Sequence, residues 1–99
     1  MKRHITYLLL LMFCPFVGWA QINTDRVMAI GRNALYFEDY VLSIQYFNQV
    51  IGAKPYLADP YFFRGLAKLN LDDFPGAESD CSEAIERNPF VANTYQVRG

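Results

Sequence analysis

A chain of 99 residues with a formal net charge of −1 has room for one small domain and offers no electrostatic reason to expect nucleic acid as a partner. Its 53% hydrophobic and 16% aromatic content excludes a disordered or low-complexity chain.

The first twenty residues differ from the rest. Lys2, Arg3 and His4 make a short basic start, Ile5 to Val17 is almost entirely apolar around Leu8 to Leu11, and Pro15 and Gly18 then break the run before Trp19 and Ala20. A basic start, an apolar middle and a small-residue exit are the layout of a secretory signal peptide, with cleavage expected after Ala20. The run is shorter than the roughly 20 apolar residues that span a bilayer, so an uncleaved membrane anchor is the alternative rather than the first reading. A lipid-modified Cys14 fits less well, because Met12 and Phe13 precede it and Pro15 follows. The expected location is therefore exported: periplasmic, cell-envelope or secreted. Residues 21–99 keep seven of nine basic residues (Lys2 and Arg3 are lost) and all ten acids, for a net charge of 7 − 10 = −3. They keep one cysteine, Cys81, so no intramolecular disulfide forms.

Beyond the leader the apolar residues follow a helical period. Val27, Ile30, Ala34 and Leu35 share a face, and Thr24 is placed to cap that helix. Glu38-Asp39 marks a turn, with Asp39 as the N-cap of a second helix carrying Tyr40, Ile44, Phe47, Val50 and Ile51; Gly52 and Pro55 are expected to stop it. Pro60 then falls in the first turn of a third helix, where its missing N–H costs nothing, and Tyr61, Phe62, Gly65, Leu66 and Leu69 follow. Asp72-Asp73 turns the chain again. Pro75 lies just after the Asp73 cap, and Ala77, Cys81, Ala84 and Ile85 line one face of a fourth helix. Pro89 closes it, and Ala92 to Gly99 opens another.

These elements repeat. Gly31, Gly65 and Gly99 are spaced by 34 residues, as are Pro55 and Pro89, Asp25 and Asp59, Leu35 and Leu69, Asp39 and Asp73, and Ile51 and Ile85. Conservative pairs share the register: Glu38 with Asp72, Tyr40 with Phe74, Ser43 with Ala77, Val50 with Ala84, and Tyr56 with Phe90. A glycine inside a helix costs about 1 kcal/mol relative to alanine. A glycine repeated at one phase therefore implies close helix contact, with the small Ser43 and Ala77 expected to face Gly31 and Gly65.

The period of 34 residues resembles the tetratricopeptide repeat. Gly31, Ser43, Phe47 and Pro55 match its pattern in the first unit. Gly65, Ala77 and Pro89 match it in the second, where Cys81 stands in place of the usual aromatic. Tyr61 and Tyr95 supply the bulky residue early in the first helix, and Val27 does so more weakly. The resemblance covers about Thr24 to Gly99. It implies an all-α fold of tandem antiparallel helix-turn-helix repeats, an α-solenoid with a right-handed superhelix: unit one at 24–57, unit two at 58–91 and the start of a third at 92–99. Such solenoids need about three units, so the chain reads as the leading part of a longer repeat protein whose remainder carries more repeats or another domain.

The resemblance also implies a concave groove lined by the first helix of each unit and occupied by a peptide or partner protein. Carried over residue by residue, the groove places are Met28, Arg32, Tyr36, Phe62, Leu66, Asn70 and Asn93, with Asp25, Leu35, Asp59, Leu69 and Gln96 beside them. The competing assignment is that Leu35 and Leu69 simply pack between units. Some family members grip a terminal carboxylate at places that here hold Met28, Arg32, Phe63, Asn93 and Val97. Only Arg32 and Asn93 are polar, so that clamp is not expected.

Little else carries chemistry. Cys81 reads as a small buried side chain. Glu78, Asp80, Glu83 and Glu86 read as a solvated outer face rather than a metal site. His4 lies in the leader, and no nucleophile motif or phosphate loop is present. No catalytic residue, cofactor or metal is expected. The leading expectation is a protein-binding scaffold; the alternatives are an accessory to an enzyme or signalling domain beyond Gly99, and a self-association module.

Overall fold

The computed structural model describes residues 22–96. Residues 1–21, with the expected signal peptide and its cleavage site, and Val97 and Gly99 lie outside the described residues, as does the side chain of Gln96. Among the described residues the chain is entirely helical, without a strand: α1 (Thr24–Tyr36), α2 (Tyr40–Ala53), α3 (Asp59–Asn70), α4 (Phe74–Arg87) and α5 (Val91–Gln96).

The cap of α1 is Asn23, not Thr24. The Asn23 side-chain oxygen accepts the Arg26 backbone N–H at 3.1 Å, while Thr24 is buried inside the first turn. Asparagine caps as well as threonine does, so moving the start by one residue satisfies the free N–H and lets Thr24 pack. Asp39 and Asp73 cap α2 and α4 as their positions suggested, accepting from the N–H of Leu42 at 3.4 Å and of Gly76 at 3.1 Å. Pro60 sits in the first turn of α3 and Pro75 in that of α4. Gly52 does not stop α2. It lies inside the helix, exposed, with negative φ and nothing near the place of a Cβ. The helix ends at Ala53, and Pro55 follows the Lys54 cap. Helix α5 starts at Val91, one residue ahead of the expected Ala92, after the Asn88 side chain accepts the Phe90 N–H.

The two hairpin turns are built alike. After α1, Asp39 N–H donates to Ala34 O and Glu38 N–H to Leu35 O; after α3, Asp73 N–H donates to Lys68 O and Asp72 N–H to Leu69 O. Both close on a left-handed residue, Glu38 at φ 66° and Asp72 at φ 64°. This paired bonding uses carbonyls that the helix end would otherwise leave unsatisfied, and it reverses the chain within three residues. Such a short return, with extended packing between its arms, requires α1 to run antiparallel to α2, and α3 to α4.

Each helix packs on the next, from α1 through α4, and the first helices of the hairpins also touch: α1 against α3, and α3 against α5. Phe47 and Val50 of α2 are fully buried, as are Ala67 of α3, Ala84 of α4 and, almost, Val91 of α5. The rings of Phe47 and Phe63 stack with centroids 5.9 Å apart, joining the first hairpin to the second. Burying one such side chain is worth about 2–3 kcal/mol before entropy is counted. Ile30 and Ile85, expected to line helix interfaces, are exposed on faces that no described helix covers.

The glycines do bring helices close: Gly65 meets Ala77 as expected, together with Asp80 and Cys81, whereas Gly31 meets a different neighbour from the one expected. A Cβ at Gly31 would lie 2.7 Å from a ring carbon of Phe47 rather than against Ser43, whose hydroxyl instead donates to Tyr40 O at 2.7 Å. A Cβ at Gly65 would lie 3.3 Å from both the Asp80 Cβ and the Cys81 Sγ, and 3.4 Å from the Ala77 carbonyl oxygen.

Candidate interaction face

The first helices of the hairpins lie side by side and present one continuous face. Phe62 stacks on Tyr95 with centroids 5.4 Å apart, and Phe63 meets Tyr95 edge-on at 4.6 Å. The Tyr95 hydroxyl donates to Asp59 Oδ2 at 2.8 Å, which ties α5 to the start of α3. Phe62, Phe63, Leu66, Ala92 and Tyr95 line an open, mainly apolar hollow of about 340 Å³. Arg32, reaching across from α1, holds its guanidinium 4.9 Å from the Phe63 ring centroid and 5.4 Å from that of Tyr95.

Arg32 also borders two further hollows. One is lined by Asp25, Met28, Ala29, Leu57, Asp59 and Pro60; the other by Ala29, Asn33 and Tyr36. Among the described residues the Arg32 guanidinium makes no hydrogen bond or ion pair; its contacts are the two rings. Aromatic contact offsets part of the cost of desolvating a cation while leaving its N–H donors available to an acceptor.

Met28 and Arg32 of α1 and Phe62 and Leu66 of α3 border these hollows, with Tyr36 at the end of α1. Asn70 turns back onto its own helix, donating from Nδ2 to Leu66 O at 2.8 Å. Asn93 is exposed on α5 and borders none of these hollows. Phe63 and Tyr95 form the floor of the face; the resemblance marks Phe63 only as a place of the carboxylate clamp that is not expected, and Tyr95 only as the bulky residue early in its helix. The available signal was the run Tyr61-Phe62-Phe63, in which adjacent residues must point to different sides of one helix.

On the other side of α3, Asp80 is not part of a solvated acidic face. It is 2% exposed and lies between Arg64 and Lys68: Arg64 Nη2 meets Asp80 Oδ1 at 2.6 Å, Arg64 Nε meets Oδ2 at 2.8 Å, and Lys68 Nζ meets Oδ2 at 3.0 Å. Helical spacing places Asp80 one turn from Ala77 and Ala84 on the buried stripe, so it needed partners that only the fold could supply. Burial pushes its pKa up, but the hydrogen bonds from Arg64 and Lys68 outweigh that and hold the carboxyl below its ordinary range; the same bond to Asp80 raises Arg64. Arg64 Nη1 also donates to Asn48 Oδ1 at 2.8 Å, so the cluster bridges both hairpins. Glu83 pairs with Arg87, whose guanidinium lies 4.1 Å over the Tyr61 ring and donates through Nε to Pro55 O at 2.7 Å. Glu78 and Glu86 are exposed as expected.

Cys81 is half-buried, and burial together with the nearby Asp80 charge raises its thiol pKa, the opposite of what activates a cysteine nucleophile. Among the described residues no three side chains are grouped to hold a metal ion, and no helix is long and apolar enough to cross a membrane. No known protein family, no curated protein and no solved structure matches this chain.

Proposed function

We propose that this chain is an exported interaction module of the tetratricopeptide kind. In this reading its helical hairpins continue a right-handed solenoid, and a peptide or partner protein lies against the face formed by α1, α3 and α5. The observation that carries the reading is the arrangement at Arg32: a guanidinium with open N–H donors, laid over Phe63 and Tyr95 beside an apolar hollow. Arginine and aromatic side chains are the residues that most often anchor protein interfaces, because they combine large contact area with directional polar groups. The shared 34-residue register of glycines, prolines, caps and left-handed turn residues supports the repeat assignment.

A random-peptide display selection against the exported chain, followed by calorimetry on the recovered peptides, tests this reading. Binding should weaken about tenfold or more on Phe62→Glu or Arg32→Glu, since both substitutions strike the centre of the face. Peptides that bind both folded variants as tightly as the parent would place the interaction elsewhere. Export is tested separately: mass spectrometry of the secreted or periplasmic fraction should find a mature N-terminus at Gln21, and intact Met1 held in the membrane fraction would overturn cleavage.

A further inference from the structure

A second surface lies along the edge formed by the two hairpin turns. The connection from α2 to α3 is only five residues, Lys54 to Ala58, so α3 starts beside the end of α2 and runs in the same direction as α1. Both tight turns therefore lie on the same edge of the molecule. That edge carries large apolar side chains in the open: Tyr36 is 79% exposed, Phe37 72%, Val41 59%, Phe74 59% and Leu71 44%. Tyr36 and Phe37 meet edge-to-face at 5.3 Å, which holds the two rings as one unit.

The two turn segments carry charges of a single sign, with Arg32 the cation that borders the hollow beside Tyr36. Glu38, Asp39, Asp72 and Asp73 stand between the apolar side chains, and no basic residue lies within 36–41 or 69–75. Asp39 and Asp73 accept backbone N–H groups as caps. The carboxylates of Glu38 and Asp72 make no hydrogen bond or ion pair among the described residues, although both occupy the left-handed position where glycine would be less strained. Two copies meeting edge to edge would bring eight carboxylates together, and an anionic lipid surface or a nucleic acid would be repelled as well.

We propose that this turn edge docks a protein segment whose apolar side chains are flanked by lysine or arginine: a basic amphipathic helix. The apolar contact comes from Phe37, Leu71 and Phe74, and the selectivity from the open carboxylates of Glu38 and Asp72. The residues it assigns to binding, Phe37, Leu71, Phe74, Glu38 and Asp72, lie outside the α1–α3–α5 face, which meets this edge at Tyr36. Every residue it uses is solvent-exposed, so its variants should keep the fold.

Amide NMR titration of the full chain with a synthetic leucine–lysine amphipathic helix tests it, with the leucine–glutamate counterpart as control. Shifts confined to 36–41 and 69–75, with no response to the acidic peptide, are expected. Paired Glu38→Gly and Asp72→Gly should raise Tm, because glycine relieves the left-handed strain, yet weaken the basic peptide about fivefold. Phe37→Ser with Phe74→Ser should abolish the shifts in a folded chain. Equal response to both peptides, shifts centred on Arg32, Phe62 and Leu66, or a glycine pair that binds the basic peptide unchanged would each overturn the proposal. Edge resonances that broaden with protein concentration alone would assign the surface to a second copy instead.

Discussion

The two hairpins share a backbone plan and fill it with opposite chemistry. In the second, α3 and α4 are joined by Arg64 and Lys68 closing on Asp80. Thirty-four residues earlier, the three equivalent positions hold Ile30, Ala34 and Tyr46, none of them charged. One position further on, Phe47 answers to Cys81. Each of these two lies against the glycine of its own hairpin, the Phe47 ring against Gly31 and the Cys81 sulfur against Gly65. The first hairpin is thus closed by the volume of a ring, and the second by ion pairs around a smaller atom. Close helix contact tolerates either solution, provided that the volume is filled and the buried charge is neutralised.

The ring should carry the larger share. Phe47→Ala removes a fully buried side chain that touches both Gly31 and Phe63, and a cost of about 3–5 kcal/mol in urea unfolding is expected. A cost below about 1 kcal/mol would show that the first hairpin is not organised around this ring. The same logic predicts that Cys81→Phe overpacks the second hairpin, because the sulfur is already 3.3 Å from where a Gly65 Cβ would stand.

The ionic solution is tested by breaking it and then by exchanging it. Asp80→Ala leaves the half-buried Arg64 and Lys68 without their acid, and should cost about 3 kcal/mol. Arg64→Ile/Lys68→Ala/Asp80→Tyr installs the first hairpin's residues in the second. It should recover most of that loss, because removing all three charges together leaves no half-buried cation without its acid. A triple variant less stable than Asp80→Ala alone would mean that the two hairpins are not interchangeable at these positions.

Much of this architecture could be read without coordinates. The caps Asp39 and Asp73, the turn acids and the prolines of the first helical turns follow from local rules that act within four residues, whereas the helix phases placed Ile30 and Ile85 at interfaces that the described helices do not form. Asp80 was misread because its environment is made by residues sixteen and twelve positions away, Arg64 and Lys68, across a helix interface. Gly31 was paired with the wrong neighbour for a related reason. Small-against-small is one way to bring helices together; a ring set against the glycine is another, and sequence spacing does not separate them. On the α1–α3–α5 face, Arg32 and Phe62 were named only through the family resemblance, residue by residue. The floor made by Phe63 and Tyr95 depends on how α5 settles against α3.

The glycines offer a smaller and sharper contrast. Alanine gains about 1 kcal/mol over glycine in helix propensity at either site. At Gly31 a methyl group would meet the buried Phe47 ring at 2.7 Å, and that ring has little freedom to move, so Gly31→Ala should be net destabilising by about 1–2 kcal/mol. At Gly65 the neighbours stand at 3.3–3.4 Å, and a shift of a few tenths of an ångström accommodates the methyl, so Gly65→Ala should lie within about 1 kcal/mol of the parent. Equal losses at both sites, measured as denaturation midpoints, would contradict the difference between a ring and an ion cluster.

Acid titration separates the hairpins by charge alone. The Asp80 carboxyl is held below its ordinary range in the folded chain, so near pH 4 the unfolded state binds the proton more readily than the native state. Its stabilising contribution is therefore complete above the ordinary carboxylate range, and is lost as pH falls through the depressed native value. The equivalents in the first hairpin, Ile30, Ala34 and Tyr46, include no carboxyl group. Stability measured from pH 6 down to pH 3 should fall more steeply for the parent than for Arg64→Ile/Lys68→Ala/Asp80→Tyr. This is the smallest of the expected effects, since a single carboxyl separates the two curves, and it is the most specific. Cavities and strain alter stability at every pH, whereas only a proton taken up at Asp80 makes the difference between parent and triple variant appear below pH 4. Curves that stay parallel across that range would mean that Arg64 and Lys68 do not hold Asp80 ionised.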